Sequence, residues 1–458
     1  MKNTYKQTIM RNKKSTILKF ENQKLTSYSG LTLFDDFITC LNLREKLQSC
    51  FKNEQKGGIY QAWRLFFLLV IHVLIGFKRI REINYYRNDP LVSNIAGLRT
   101  FPDPSTISRA LSNCSDSAIT SLRSLNRGEI IDGLSEAGLQ RITIDCDGSV
   151  LSTKRHAEGT AIGFNKMHKG RRSYYPLFAT IAQSGQVFDF HHRPGNVHDS
   201  NGACGFLEEN IRRLIDTLPD TRFEMRGDGA FFSKEMVSWL NSLDVDFTLS
   251  VPFLRLPELK SIVEDTQKWH RIDKTTSCRS ISWAPKSWEI QQRFVLVRRK
   301  VACQNKEVLQ LDLFEPLSFE YEYKVIVTNK KCSSAEVIAF HEGRGNQEAL
   351  FGELKTFTGM AAIPFKHKNA NQVYLLANIF AHNLMRRFQM KNVQPTKNHE
   401  KSRGACWTFK TLGTLRKTIL NRAGKITAPQ NVRTLTIAGN EMIKNMFEAI
   451  RGRFKNAA

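Results

Sequence analysis

No Cys-x-x-Cys pair occurs anywhere in the 458 residues, and the nine cysteines are scattered. That spacing excludes a zinc knuckle, and an odd number of thiols argues against a disulfide framework. Acid is in short supply: 43 aspartates and glutamates stand against 68 lysines and arginines, for a net charge of +25. Such an excess calls for a polyanionic partner, either nucleic acid or an acidic membrane surface. Long apolar runs are missing as well. The longest, Leu65 to Phe77, covers about 13 residues and is interrupted by His72, where a bilayer-spanning helix needs roughly 20. It reads as a buried core helix, and no membrane partner is expected. The first twenty residues are basic and polar, without the apolar stretch and cleavage site of a secretory signal. The expected location is therefore the cytoplasm.

What is present divides the chain into blocks. With 41% hydrophobic residues, the chain is too long for one compact core and predicts two or three domains. Residues 1–28 form a basic arm that reads equally as a frayed tail or a DNA-gripping segment. Over 29–139 apolar residues recur at helical spacing, broken at Gly57-Gly58, Asp89-Pro90 and Pro102-Asp103-Pro104. This predicts a helical domain for DNA binding or dimerisation. Within it DPSTISRALSN opens a helix at Pro104, with Ser105, Thr106, Ser108 and Arg109 on its leading face. A groove-reading helix has this layout, and so does an ordinary capped core helix.

A different grammar begins at Arg141. RITIDCDGSV reads as a strand, SYYPLFATIAQSGQVFDFHHRPG as two strands about a Ser-Gly turn, and GACGFLEENIRRLIDTL as an amphipathic helix. FEMRGD, SKEMVSWLNSL and DFTLSV then give strand, helix and strand. This order predicts an α/β, ribonuclease-H-like (retroviral-integrase-like) catalytic core over 140–253, flanked by helical N- and C-terminal regions. Its closing helix is delayed until GRGNQEALFGELKTF. The β-branched and aromatic stretches RSISWAP, RFVLVRRKVAC and YEYKVIVTN therefore mark 254–329 as a β-rich insertion. Residues 330–390 supply the closing helices, and 391–458 a polar linker and a basic C-terminal module.

Such a core brings a carboxylate from its first strand beside Asp228, at the end of its fourth, where ligands of an open sheet gather. Asp145 and Asp147 share one face of the first strand, so alternation does not choose between them. Asp147 stands at the strand end, before the Gly148-Ser149 turn, and is preferred. The third acid belongs on the closing helix, where Glu348 and Glu353 compete and Glu342 lies upstream. Arg344, Glu348 and Lys355 line one helical face. Paired carboxylates on rigid elements suit two Mg²⁺ ions, with Mn²⁺ as a substitute, acting on a phosphodiester.

The segment HEGRGNQEALFGELK resembles the Tyr-x2-Arg-x3-Glu-x6-Lys signature of DDE insertion-sequence transposases at Arg344, Glu348 and Lys355, with His341 where the family has Tyr. DCDGS, GFNKMHKGRRSYYPLFA, RPGNVHDSNGA and RGDGAFFS are similar to successive blocks of the family called transposase DDE domain group 1. The resemblance implies a metal-binding catalytic triad of Asp147, Asp228 and Glu348. It also implies DNA contacts from Arg344, Lys355 and the altered position His341. The activity implied is cut-and-paste transposition. Terminal inverted repeats of double-stranded DNA are bound and cleaved, and the 3′-hydroxyl ends are joined to target DNA by a homodimer assembled on DNA in the bacterial nucleoid.

Further contacts are expected from the loop residues Lys166, His168, Lys169, Arg171 and Arg172, although a solvated basic loop has the same composition. Trp288, Arg298 and Arg299 of the insertion are candidates to meet DNA, and Trp269 and Trp283 to stack either on a base or in the core. His191, His192 and His198 lack the spacing of a metal site; Asn196 and His198 read as supporting groups. Two other functions use the same features: a ribonuclease-H-like nuclease or resolvase that cuts without joining, and a catalytically silent DNA-binding repressor.

Overall fold

The computed structural model describes residues 21, 23–54, 59–302, 319–398 and 403–455. Most of the basic arm, the Gly57-Gly58 turn, the segment 303–318 of the insertion and residues 399–402 of the linker lie outside the described residues. The helices used below are α1 (Leu31–Cys40), α2 (Ala62–Ile75), α3 (Pro104–Ser112), α4 (Asp116–Glu136), α5 (Ala203–Thr217), α6 (Lys234–Ser242), α7 (Ser334–Glu342), α8 (Gly345–Phe357), α9 (Lys368–Asn392) and α10 (Glu441–Lys455). The strands of the main sheet are β1 (Arg141–Gly148), β2 (Leu177–Ile181), β3 (Gln186–His191), β4 (Arg222–Gly227), β5 (Asp246–Ser250), β6 (His270–Arg271), β7 (Thr276–Trp283), β8 (Gln292–Ala302) and β9 (Phe319–Thr328).

These nine strands form one mixed sheet in the order β6-β7-β8-β9-β5-β4-β1-β2-β3. β1, β4 and β5 run parallel, while on the other side of β1 the strand β2 runs antiparallel to it and β3 antiparallel to β2, and β9 lies antiparallel to β5. β1 is central, and Ile142 through Cys146 are all buried. A strand covered on both faces is buried at every position, so its polar members Thr143 and Asp145 need partners inside the layer. The register of β1 against β4 is pinned by charge inside this layer. Arg226 donates to both oxygens of Asp145, Nε to Oδ1 at 2.5 Å and Nη2 to Oδ2 at 2.7 Å, and its Nη1 reaches the carbonyl of Phe340 in α7 at 3.0 Å.

The helical layer is built around α9 and α2. From Leu65 to Ile75 every residue of α2 is buried, and each large apolar side chain contributes roughly 1.5–3 kcal/mol. Such a helix needs neighbours all round, and α9 supplies one of them, with Phe380 edge-on to Phe66 at 5.9 Å. The layer is joined to the sheet along its open edge. Arg123 of α4 grips Asp189 of β3 through Nε and Nη2 at 2.9 and 2.6 Å, and Asn126 donates to the carbonyls of Val187 and Phe188. From α9, Asn383 accepts from the Val187 amide at 2.9 Å and donates to its carbonyl at 2.8 Å. An edge strand saturated this way has little left with which to recruit a foreign strand.

Strand pairing and packing cross two of the boundaries expected from sequence. The insertion over 254–329 extends the core sheet, because Ile326–Thr328 of β9 pairs with Thr248–Ser250 of β5. Strand pairing over that distance leaves no local signature in the chain. At the other boundary, Leu25–Thr26 pairs with Gly424–Lys425, so the end of the basic arm is a strand. The C-terminal module packs back on the N-terminal helices, with Phe454 of α10 5.4 Å from Phe37 of α1 and 5.6 Å from Phe388 of α9. In α3, Asp103 caps the first turn and Ile107 and Leu111 face the core, while Ser105 and Arg109 are exposed.

Breaking one partner of a buried pair strands the other's charge. Asp145→Ala is therefore expected to destabilise the fold by about 3–5 kcal/mol in a urea titration, and Asp145→Leu combined with Arg226→Met to recover most of that loss.

Candidate active site

The pinned register carries beyond the strand ends. Asp145 lies opposite Arg226, and two residues further along each chain Asp147 and Asp228 emerge on neighbouring parallel strands. Asp147 Oδ1 accepts from the Gly148 amide at 2.8 Å, and Oδ2 faces Arg344 Nη1 at 3.4 Å. Asp228 caps the turn Gly229–Phe231, with Oδ1 accepting from the Ala230 amide at 2.9 Å. Both carboxyls are pushed up. Burial moves Asp147 most, Arg344 opposes it, and the charges of Asp228 and Asp199 add to it, for a pKa of about 7. For Asp228, burial again dominates over the lowering by the Ala230 amide and Arg344. Both oxygens of Asp145, by contrast, accept from Arg226.

A further acid, Asp199, stands beside the pair, and the sequence reading passed over it. Its Oδ2 accepts from the Tyr175 hydroxyl at 2.7 Å and its Oδ1 from Arg193 Nη2 at 2.9 Å. Arg193 is 2% exposed and also donates to the carbonyls of Tyr175, His198, Asp199 and Asn201. This cluster presses on the turn after Asp147: a Cβ on Gly148 would stand 2.5 Å from Asp199 Oδ1 and 2.6 Å from the Tyr175 ring. Only glycine admits that approach. The signal lay within RPGNVHDSNGA, where Asn196 and His198 drew attention and the buried Arg193–Asp199 pair had no periodicity to reveal it.

The closing helix α8 buries Gln347, Leu350, Phe351 and Leu354 and leaves Glu348 and Lys355 exposed. Gln347 ties it to β1 by donating to the Asp145 carbonyl at 3.1 Å. Both ends of the Arg344–Glu348–Lys355 stripe report to Asp147: Arg344 by the contact above, and Lys355 because Asp147 raises a pKa that partial desolvation lowers. The competing acids are engaged elsewhere. Glu353 pairs with Arg386 at 2.5 Å and accepts from the Leu412 amide, and Glu342 pairs with Arg299.

Several expected DNA contacts are placed otherwise. His341 is buried between Thr248 and Ser250, with Nδ1 3.0 Å and Nε2 2.8 Å from their hydroxyls, and burial lowers its pKa to about 3. A neutral, enclosed imidazole does not meet a phosphate, so His341 leaves the set. Arg172 is turned inward onto the hydroxyl and carbonyl of Thr160. Arg298 is held between the rings of Trp269 and Tyr321, at 4.7 and 4.4 Å, and Trp288 stacks on Phe232 at 5.1 Å. Trp283 packs edge-on against Phe294. Lys166, His168 and Lys169 are exposed and Arg171 half-buried on the loop between β1 and β2.

The donors suit a hard divalent cation. Asp147 and Asp228 offer carboxylate oxygens from rigid strand ends, and burial raises both pKa values more than Arg344 lowers them, so the ionised pair lacks a compensating cation. Among the described residues no three His, Cys, Asp or Glu side chains form a ready-made metal cluster, so Glu348 does not complete a three-acid set with the pair in this conformation. No helix of the described residues is long and apolar enough to cross a membrane.

Fold and site together define a mixed α/β protein whose candidate centre is a strand-end acidic pair faced by a cation-bearing helix. A family model described as "Transposase DDE domain group 1" matches residues 8–458, and the chain belongs to that family. No curated protein matches it. A similar solved structure is the piggyBac transposase synaptic complex with hairpin DNA, at 12% identity over 82% of this chain and 78% of that one, with a TM-score of 0.40.

A carboxyl whose pKa is raised by folding contributes stability below its unfolded pKa and loses it as pH rises through the folded value. For Asp147 that window runs from about 4 to about 7. In protein free of divalent ions, Asp147→Asn should match the wild type near pH 4 and exceed it by roughly 2–4 kcal/mol above pH 8. Conversely, Mg²⁺ should raise the wild-type Tm more at pH 8 than at pH 6, since the ion must displace a proton, and should leave the Tm of Asp147→Asn nearly unchanged.

Proposed function

We propose that the chain is a cut-and-paste DNA transposase, which binds the terminal inverted repeats of an insertion sequence, cleaves its ends and joins the 3′-hydroxyls to target DNA. The observation that carries this reading is the emergence of Asp147 and Asp228 side by side from parallel strands, faced by Arg344 and Lys355 of the closing helix. The order β3-β2-β1-β4-β5, with β2 antiparallel, supports a ribonuclease-H-like core. The net charge of +25 suits a phosphate backbone as partner.

Asp147 and Asp228 would hold the metal, with Glu348 of α8 as the third acid. Two Mg²⁺ ions held there, or Mn²⁺ in their place, would supply positive charge for phosphodiester chemistry. The remaining work belongs to side chains already fixed. Tyr175 and Asp199 hold the turn that aims Asp147, and Gln347 holds α8 against β1. Arg344, at 3.4 Å from Asp147, keeps most of its donors for a phosphate oxygen, and Lys355 provides a second cation along the same face. Cleaved ends of one element must be kept together, which favours a homodimer bridged by DNA.

Asp147→Ala, Asp228→Ala and Glu348→Ala are each expected to abolish nicking of end-sequence duplexes while keeping repeat binding nearly intact. Wild-type nicking by Glu348→Ala would return the third role to another acid. Transfer of a pre-cut 3′ end into plasmid distinguishes a transposase from a nuclease that only cuts.

Each phosphate contact adds about 0.9 to the slope of log affinity against log salt on duplex DNA. Arg344→Ala and Lys355→Ala should each flatten that slope by about one unit, and an unchanged slope would put the residue away from the backbone.

A further inference from the structure

The loop between β1 and β2 is anchored at its root and apolar at its tip. A Cβ on Gly163 would overlap the carbonyl of Gly195, and the Phe164 amide donates to that carbonyl at 2.9 Å. Asn165 is buried, and its Oδ1 accepts from the His168 amide at 3.0 Å. The Phe164 ring lies 6.3 Å from Tyr175 and edge-on to His198 at 5.7 Å. Tyr175 is the residue that presses on Gly148 beside Asp147. A chain of direct contacts therefore runs from the loop to the acidic pair.

Beyond this anchor Met167 is 87% exposed, Ile162 57% and Phe164 46%. A single exposed apolar side chain needs no explanation. Three within six residues, on a loop held by its own hydrogen bonds and set among Lys166, His168, Lys169 and Arg171, form a compact apolar point in a basic collar. Cations of that kind meet phosphates, and methionine, isoleucine and phenylalanine are side chains that enter between base steps and unstack them.

We propose that Met167, backed by Ile162 and Phe164, is a wedge that enters the base stack of duplex DNA next to the bond addressed by Asp147 and Asp228. The proposal rests on the DNA-processing reading above. It adds a task to the loop: opening the step at the cleaved end, which the acids on the sheet do not perform.

The test uses the full-length protein and duplexes of end sequence, read from the DNA bordering the gene, with 2-aminopurine at successive positions around the cleaved bond. Wild-type binding in the absence of divalent ions should raise the fluorescence at one or two adjacent positions. Met167→Ala should lose that rise, bind the duplex with little change, and cut fully paired ends about tenfold more slowly. A mismatch at the same step removes the cost of unstacking and should restore the variant's rate. Unchanged fluorescence and rate in Met167→Ala, or an equal defect on paired and mismatched ends, would overturn the wedge while leaving the transposase reading in place. If the wild type neither binds nor cuts these duplexes, both readings fall.

Discussion

The bidentate bond between Arg226 and Asp145 is the constraint on which the site depends. A guanidinium and a carboxylate enclosed in a sheet are stable only when each satisfies the other in full, so neighbouring strands that carry them have one acceptable register. That register sets Asp147 beside Asp228 two residues further on. It also fixes the third side of the centre, because the same arginine holds the carbonyl of Phe340 just before the chain turns into the helix bearing Arg344 and Glu348. A Cβ on Gly343 would collide with Arg226, so the turn between the two helices closes directly on the pair. Structural charge lies one layer beneath functional charge, and the first positions the second.

The acidic centre is also crowded by design. Asp147, Asp228 and Asp199 repel one another where water is largely excluded, and Arg344 balances only part of their charge. Asp199 pays for its own place through Arg193 and Tyr175, which satisfy both of its oxygens. The unbalanced remainder is concentrated on the two strand-end carboxyls, where a cation gains most by binding.

Much of this was readable from the chain because it is local. The main-sheet strands and the helices from Arg141 to Ser250 fall where their local patterns put them, whereas the short strands Leu151–Ser152, Ala161–Ile162 and Arg172–Tyr174 were not foreseen; the buried run of α2 lies where the longest apolar stretch begins. Its place at the strand end favoured Asp147 over Asp145, but the partner that engages Asp145 was not readable, since that arginine lies 81 residues away in sequence. The same holds for the insertion, whose strands looked independent until β9 met β5, and for His341, whose burial depends on hydroxyls from a distant strand. Arg193 and Asp199 sit in an irregular loop whose contacts have no period. Periodicity reports which face of an element is inside, and it is silent about which distant residue shares that inside.

The meeting of segments far apart in sequence has a consequence for folding. Phe37 of α1, Phe388 of α9 and Phe454 of α10 share a single packed cluster, and the strand at Leu25 waits for one at Gly424. During synthesis the helical layer therefore stays open until residues beyond 440 have been made. Until Phe454 has been made, Phe37 and Phe388 lack the ring that both of them pack against.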